Sequence, residues 1–97
     1  MNSTPLHYAV ESNRVDVIIL LLLSGADMYI TEDRHNATPL QLAILNAHLD
    51  ALQTLIANGF DVNYKNEVGK TALDTAIQNE NYAALEILLS HGAFQSD

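Results

Sequence analysis

The eight residues Ser3–Val10 read STPLHYAV; 34 positions on, Ala37–Ile44 read ATPLQLAI, and 33 positions after that Lys70–Ile77 read KTALDTAI. The threonines of the phrase, Thr4, Thr38 and Thr71, are each followed 21 residues later by a glycine, Gly25, Gly59 or Gly92. The spacing inside each unit is therefore constant. The one extra residue of the first period must lie between Gly25 and Thr38, in the connection ADMYITEDRHNA, where a loop can absorb it. A fixed period of this length marks a stack of small supersecondary units, none of which can bury its apolar face alone.

Within each unit the pattern is helix, turn, helix. Thr4 and Thr38 are placed to cap a helix, and Pro5 and Pro39 follow at the first helical position, where a lost N–H is harmless. Leu6, Ala9 and Val10, then Leu40, Ala43 and Ile44, then Leu73, Ala76 and Ile77 recur at i, i+3 and i+4, giving one apolar stripe per short helix. The small alanine in each stripe permits close helix approach. A second helix is predicted over about Val15–Leu23, Leu49–Ala57 and Tyr82–Ser90, ending before a glycine suited to the left-handed C-terminal conformation. Leu21, Leu22, Leu55, Ile56, Leu88 and Leu89 are its predicted core face. The expected fold is an all-α solenoid forming a single domain over residues 1–97, with units of about 4–36, 37–69 and 70–97.

Composition narrows the function. The apolar fraction is 48%, with two prolines and four glycines, as in a folded chain. Twelve Asp and Glu against four Lys and Arg give a net charge of −8, which repels phosphate backbones and anionic lipid and attracts basic protein surfaces. Neither nucleic acid nor a membrane is an expected partner. There is no cysteine for a disulfide or thiolate metal site. The longest apolar run, Val17–Leu23, has seven residues, against the ~20 that span a bilayer, and the first residues lack the basic start of a signal peptide. A cytoplasmic location is the default expectation. His7, His35, His48 and His91 have no metal-ligand spacing, and neither a phosphate-binding glycine loop nor a G-x-S-x-G elbow occurs. No catalysis, cofactor, metal or small-molecule substrate is expected, His7 is read as structural, and Glu32 and Asp33 are expected to be solvated carboxylates.

The repeated phrases carry a family resemblance. Thr4-Pro5-Leu6-His7 with Ala9, the ending LLLLSGAD (Leu20–Asp27) and the connection GFDVNYKNEVGKTAL (Gly59–Leu73) make the chain similar to three consecutive ankyrin repeats. The resemblance implies an elongated stack of helix pairs, finger-like turns projecting to one side, and a concave face of fingers and first helices that binds other proteins. Several positions depart from the pattern. The finger glycine is kept at Gly69 but is Asn36 in the first finger, a residue that tolerates the left-handed conformation. The glycine ending each first helix is Asn13, Ala47 and Glu80. Ala47 and Glu80 are expected either to be strained, at ~1 kcal/mol apiece, or to reshape the turn. The histidine of the phrase becomes Gln41 and Asp74 in the later units and its proline becomes Ala72 in the third, which puts the inter-repeat hydrogen bonds in question there.

By matching positions, the finger tips are Arg34, His35 and Ala37, then Glu67, Val68 and Lys70, and the exposed ends of the first helices supply Glu11 and Ser12, Leu45 and Asn46, Gln78 and Asn79. These twelve are the partner-binding candidates. Tyr8 and Tyr29 are read as packing residues rather than interface anchors. On the second helices, solvent-facing positions are Asp50, Gln53 and Ala57, or Ala83, Glu86 and Ser90, but Asp16, Ile19 and Leu23 in the first unit. Ile19 and Leu23 lie one turn apart and form an apolar patch: a dimer or partner contact on the convex side, or else ordinary exposed aliphatics or a seat for a folded N-terminal segment. Leu55 with Asp61-Val62-Asn63 resembles the L-x5-D-V-N pattern of asparaginyl hydroxylation, so Asn63 is either an acceptor or a residue bonded within its own finger. The leading functional expectation is a non-catalytic protein-interaction module, monomeric or weakly dimeric. Two alternatives stand beside it: a small acidic inhibitor of a basic enzyme, of immunity or antitoxin type, and a homo-oligomer built through Ile19 and Leu23. With the first phrase at its start and five residues after Gly92, the chain suits either a segment of a longer array or a small complete inhibitor.

Overall fold

A computed structural model describes residues 4–94. Six helices follow one another: α1 (Pro5–Glu11), α2 (Val15–Leu23), α3 (Pro39–Leu45), α4 (Leu49–Ala57), α5 (Ala72–Gln78) and α6 (Tyr82–Ser90). The three second helices have the bounds predicted from the sequence. There is no strand among the described residues.

Each first helix begins with the same reciprocal cap. The hydroxyls of Thr4, Thr38 and Thr71 accept from the backbone N–H groups of His7, Gln41 and Asp74, and the side chains of those three residues accept from the threonine N–H in return. A histidine nitrogen, an amide oxygen and a carboxylate oxygen thus perform one task, because each is an acceptor at the third helical position. In unit one Nδ1 of His7 accepts from Thr4 N–H at 3.1 Å. The ring proton is therefore on Nε2, a buried atom with no partner among the described residues.

Helix pairs close on left-handed turns. Asn13, Ala47 and Glu80 have φ of 53°, 56° and 54°, so Ala47 and Glu80 do adopt the strained conformation rather than reshape the turn. Asn36, at φ 52°, keeps the first finger intact.

Packing follows from the repeat. α3 lies between α1 and α5 and α4 lies between α2 and α6, so the inner and outer helices form two rows. Leu6, Leu40 and Leu73 with Ala9, Ala43 and Ala76 line the core from the first helices. From the second helices the core takes Ile18, Ala51, Leu52, Leu55, Ala84 and Leu88. The predicted core face was thus rotated by part of a turn. Leu55 and Leu88 are buried and Leu21, Leu22 and Ile56 are half-buried, but Leu89 is 54% exposed. Its counterparts Leu22 and Ile56 are flanked by a following unit, and Leu89 is on the end face.

Hydrogen bonds repeat with the same step. His48 Nδ1 donates to the Val10 carbonyl at 3.0 Å, and Asn81 Nδ2, at the corresponding position of the next unit, donates to the Ile44 carbonyl at 3.0 Å. Gln41 Nε2 donates to the Lys70 carbonyl at 3.1 Å, so glutamine links the second unit to the third, a bond that Nε2 of His7 does not make among the described residues.

Candidate functional site

The fingers are held by buried acceptors. In the first, Glu32 is 6% exposed, and its carboxylate accepts from the backbone N–H groups of His35 (2.8 Å), Arg34 (3.1 Å) and Ala37 (3.2 Å). The expectation of a solvated Glu32 is corrected: the turn folds over the side chain to satisfy its own donors. Burial pushes the Glu32 pKa up. The backbone hydrogen bonds from His35, Ala37 and Arg34, with the charge of the His35 ring, outweigh that push and hold it below the ordinary value. In the second finger Asn66 takes the equivalent place, its Oδ1 accepting from Lys70 N–H (2.9 Å) and Val68 N–H (3.1 Å). Asn66 Nδ2 reaches back to the Asn36 carbonyl at 2.8 Å, and Thr31 Oγ1 donates to Glu67 Oε1 at 2.9 Å, so the two fingers are bound to each other.

An aromatic cluster supports the finger bases. The Tyr29 ring lies 4.6 Å from Phe60 and 4.5 Å from Tyr64, and its hydroxyl accepts from Asp61 N–H at 2.9 Å. Tyr29 is the packing residue it was read to be. Tyr8 is not; it is 60% exposed on the outward side of α1. Asn63, one unit after Tyr29, bonds to the following unit and not to its own finger. Its Oδ1 accepts from Phe94 N–H at 3.1 Å and its Nδ2 donates to the Gly92 carbonyl at 3.3 Å. Only its backbone N–H is held locally, by Asp61 Oδ1 at 3.0 Å.

Eleven of the twelve partner-binding candidates keep surface exposure, in full or, for Leu45, in part. Ala37 does not. It is 2% exposed, with its N–H on Glu32 and its carbonyl accepting from Glu32 N–H, and it belongs to the base of the finger rather than the tip. Asn46 and Asn79 fold their side-chain amides onto the Leu42 and Thr75 carbonyls at 3.0 and 2.9 Å, closing α3 and α5. Between the fingers and these helices runs a depression of about 120 Å³, lined by His35, Ala37, Gln41, Leu45, Lys70, Thr75, Gln78 and Asn79. It joins candidates 44 positions apart, His35 and Asn79, on one surface. Glu11 and Ser12 do not line it. Ile19 and Leu23 lie on the opposite row of helices, 38% and 77% exposed.

The period, the reciprocal caps and the linked fingers agree with what comparison finds. The profile described as Ankyrin repeats (3 copies) matches residues 6–97. The chain belongs to the ankyrin-repeat family. An ankyrin repeat protein of Fowlpox virus (strain NVSL) is 38% identical over 88 residues, covering 88% of this chain and 26% of that protein. The Homo sapiens transient receptor potential cation channel subfamily A member 1 is 36% identical over 92 residues, 94% of this chain and 8% of the channel. The Homo sapiens ankyrin repeat and SOCS box protein 6 is 37% identical over 97 residues, 93% of this chain and 23% of that protein. This chain therefore spans about a quarter or less of the length of these relatives. Ankyrin repeats in general mediate protein–protein interaction and are non-catalytic. No helix among the described residues is long and apolar enough to cross a membrane.

Proposed function

We propose that this ankyrin domain binds a partner protein through the face formed by its fingers and first helices. The observation that carries this reading is the depression joining His35, Leu45, Lys70, Gln78 and Asn79, with Val68 standing 60% exposed at the tip of the neighbouring finger. Bound acceptors hold both fingers before any partner arrives, so little ordering cost accompanies binding.

Charge on this face is mixed. In the two finger connections Asp27, Glu32, Asp33, Asp61 and Glu67 stand against Arg34, Lys65 and Lys70, so most of the net charge of −8 lies elsewhere on the chain. The acidic remainder steers basic partners at long range, while the face itself selects by individual pairs and by Val68. This distribution supports a recruitment surface over an acidic plug for a basic enzyme.

The test is capture of partners from lysate by the purified chain beside two variants. One carries Arg34→Glu, Glu67→Lys and Lys70→Glu on the fingers; the other carries Gln53→Lys on the outer helices. A partner retained by the second and lost by the first supports the reading. A partner retained by the finger variant rejects it.

A further inference from the structure

The depression on the finger face has no carboxylate in its walls. None of the residues lining it is Asp or Glu, and Lys70 is among them, on a chain with twelve acidic residues and four Lys and Arg. Acidic side chains of the surrounding elements are engaged within the fold. Glu32 accepts from three backbone N–H groups of its own finger, Glu67 accepts from Thr31 Oγ1 at 2.9 Å, and Asp74 accepts from Thr71 N–H at 3.0 Å to cap α5. Neither the Arg14–Asp16 nor the His35–Glu32 ion pair involves Lys70. We propose, building on the binding face put forward above, that this depression receives one acidic side chain from an internal segment of the partner protein, its carboxylate paired with Lys70.

Floor and rim of the depression differ in what they offer. Gln41, 3% exposed, places its Nε2 on the Lys70 carbonyl and accepts from Thr38 N–H at its Oε1. Thr75 Oγ1 donates to the Thr71 carbonyl at 3.2 Å, and Asn79 Nδ2 donates to the Thr75 carbonyl at 2.9 Å. These floor groups hold the fold together. Lys70 and Gln78 are exposed, so the rim presents an ammonium and an amide N–H to whatever arrives. A carboxylate, which only accepts, matches both donors, and its bond to the ammonium is charge-assisted. Size agrees with this occupant. At about 120 Å³ the depression is well below the ~300 Å³ at which small-molecule pockets begin and suits the end of one side chain.

The surroundings restrict the residues on either side of that acid. Half-buried Leu45 lines the depression, and Val68 stands 60% exposed two residues before Lys70, so apolar neighbours of the acid find surface to cover. Beyond the fingers the helices and their turns carry Glu11, Asp16, Asp50, Asp74, Glu80 and Glu86 against Arg14 alone. Their field repels a run of acidic residues and favours basic ones around a single acid. The segment that fits therefore has one Asp or Glu, an apolar residue beside it, and basic flanks.

The test is selection against the purified chain from a library of random peptides, each displayed within a loop of a carrier protein so that no terminal carboxylate is offered. The selected segments are expected to share one acidic residue with apolar and basic neighbours. Changing that acid to its amide, or making Lys70→Met in the chain, is expected to weaken binding at least ~10-fold. Made together, the two changes are expected to cost little more than either alone, because each removes the same pair. The finger's hydrogen bonds at this position use the backbone of Lys70, not its side chain, so circular dichroism melting of Lys70→Met is expected to match wild type. Segments with no shared acid, no enriched segment at all, unchanged affinity in Lys70→Met, or additive losses in the double change each overturn the proposal. The variant carrying Arg34→Glu, Glu67→Lys and Lys70→Glu separates this failure from failure of the binding face. Segments lost by that variant but retained by Lys70→Met overturn the carboxylate pairing alone, whereas segments retained by both overturn the face as well.

Discussion

Removing the Glu32 carboxylate is expected to loosen the first finger and destabilise the domain in a pH-dependent way. In Glu32→Ala three backbone N–H groups lose their acceptor. Arg34 and His35 are exposed, so their N–H groups can turn to water; Ala37 is 2% exposed and its donor is left without a partner. One buried unsatisfied donor plus two hydrogen bonds to a charged group amounts to about 2 to 4 kcal/mol. For a domain of this size that is a fall in Tm of roughly 10 to 20 °C. The sign of the pH effect follows from the lowered folded-state pKa. Unfolded Glu32 takes a proton near the ordinary value of 4.5, while the folded carboxylate stays ionised to lower pH. Its stabilising contribution is therefore complete above the ordinary value and is lost as pH falls through the lowered one. Melting of wild type and Glu32→Ala by circular dichroism is expected to show the full gap at neutral pH and a narrowing gap below the ordinary value. A Tm gap smaller than about 3 °C at neutral pH, or one that does not narrow in acid, would refute the reasoning.

Three further predictions concern backbone, core and surface. Ala47→Gly relieves a left-handed alanine at φ 56° and is expected to stabilise by about 0.5 to 1 kcal/mol, read as a higher urea midpoint with an unchanged slope. Leu52→Ala, at a fully buried site facing helices on both sides, is expected to cost about 2 to 5 kcal/mol in the same assay. Leu20→Ala, at a residue 64% exposed, is expected to cost under about 0.5 kcal/mol in the monomer.

The helices were legible because their signals are local. A capping threonine marks the starts of α1, α3 and α5, with proline at the first helical position of α1 and α3, and a closing glycine follows α2, α4 and α6; each acts within a few residues. The left-handed turns were legible as alternatives, and geometry chose between them at Ala47 and Glu80. Burial was less legible, because it depends on the neighbouring unit as well as on the residue. Leu42 and Tyr8 share a position in the repeat, yet only Leu42 has a unit on each side. The finger interiors were misread for a related reason. Glu32 looked solvated beside Asp33, and only its equivalence to Asn66 marks it as the acceptor around which the turn closes. That equivalence, 34 positions apart, was the signal in the sequence that could have found it. Ala37 followed Glu32 into the finger base, whereas its counterpart Lys70 keeps an exposed side chain above the same backbone bond.

A partner bound on the finger face covers that face and leaves the outer helices free. Amide hydrogen exchange on the chain, free and in a captured complex, reads this without altering a residue. Binding on the finger face is expected to slow exchange at Arg34–His35 and Val68–Lys70 and at the ends of α3 and α5, near Asn46 and Asn79, with α2 and α4 unchanged at Leu23 and Ala57. Slowed exchange confined to the outer helices, with the fingers unaffected, would contradict the proposed binding face.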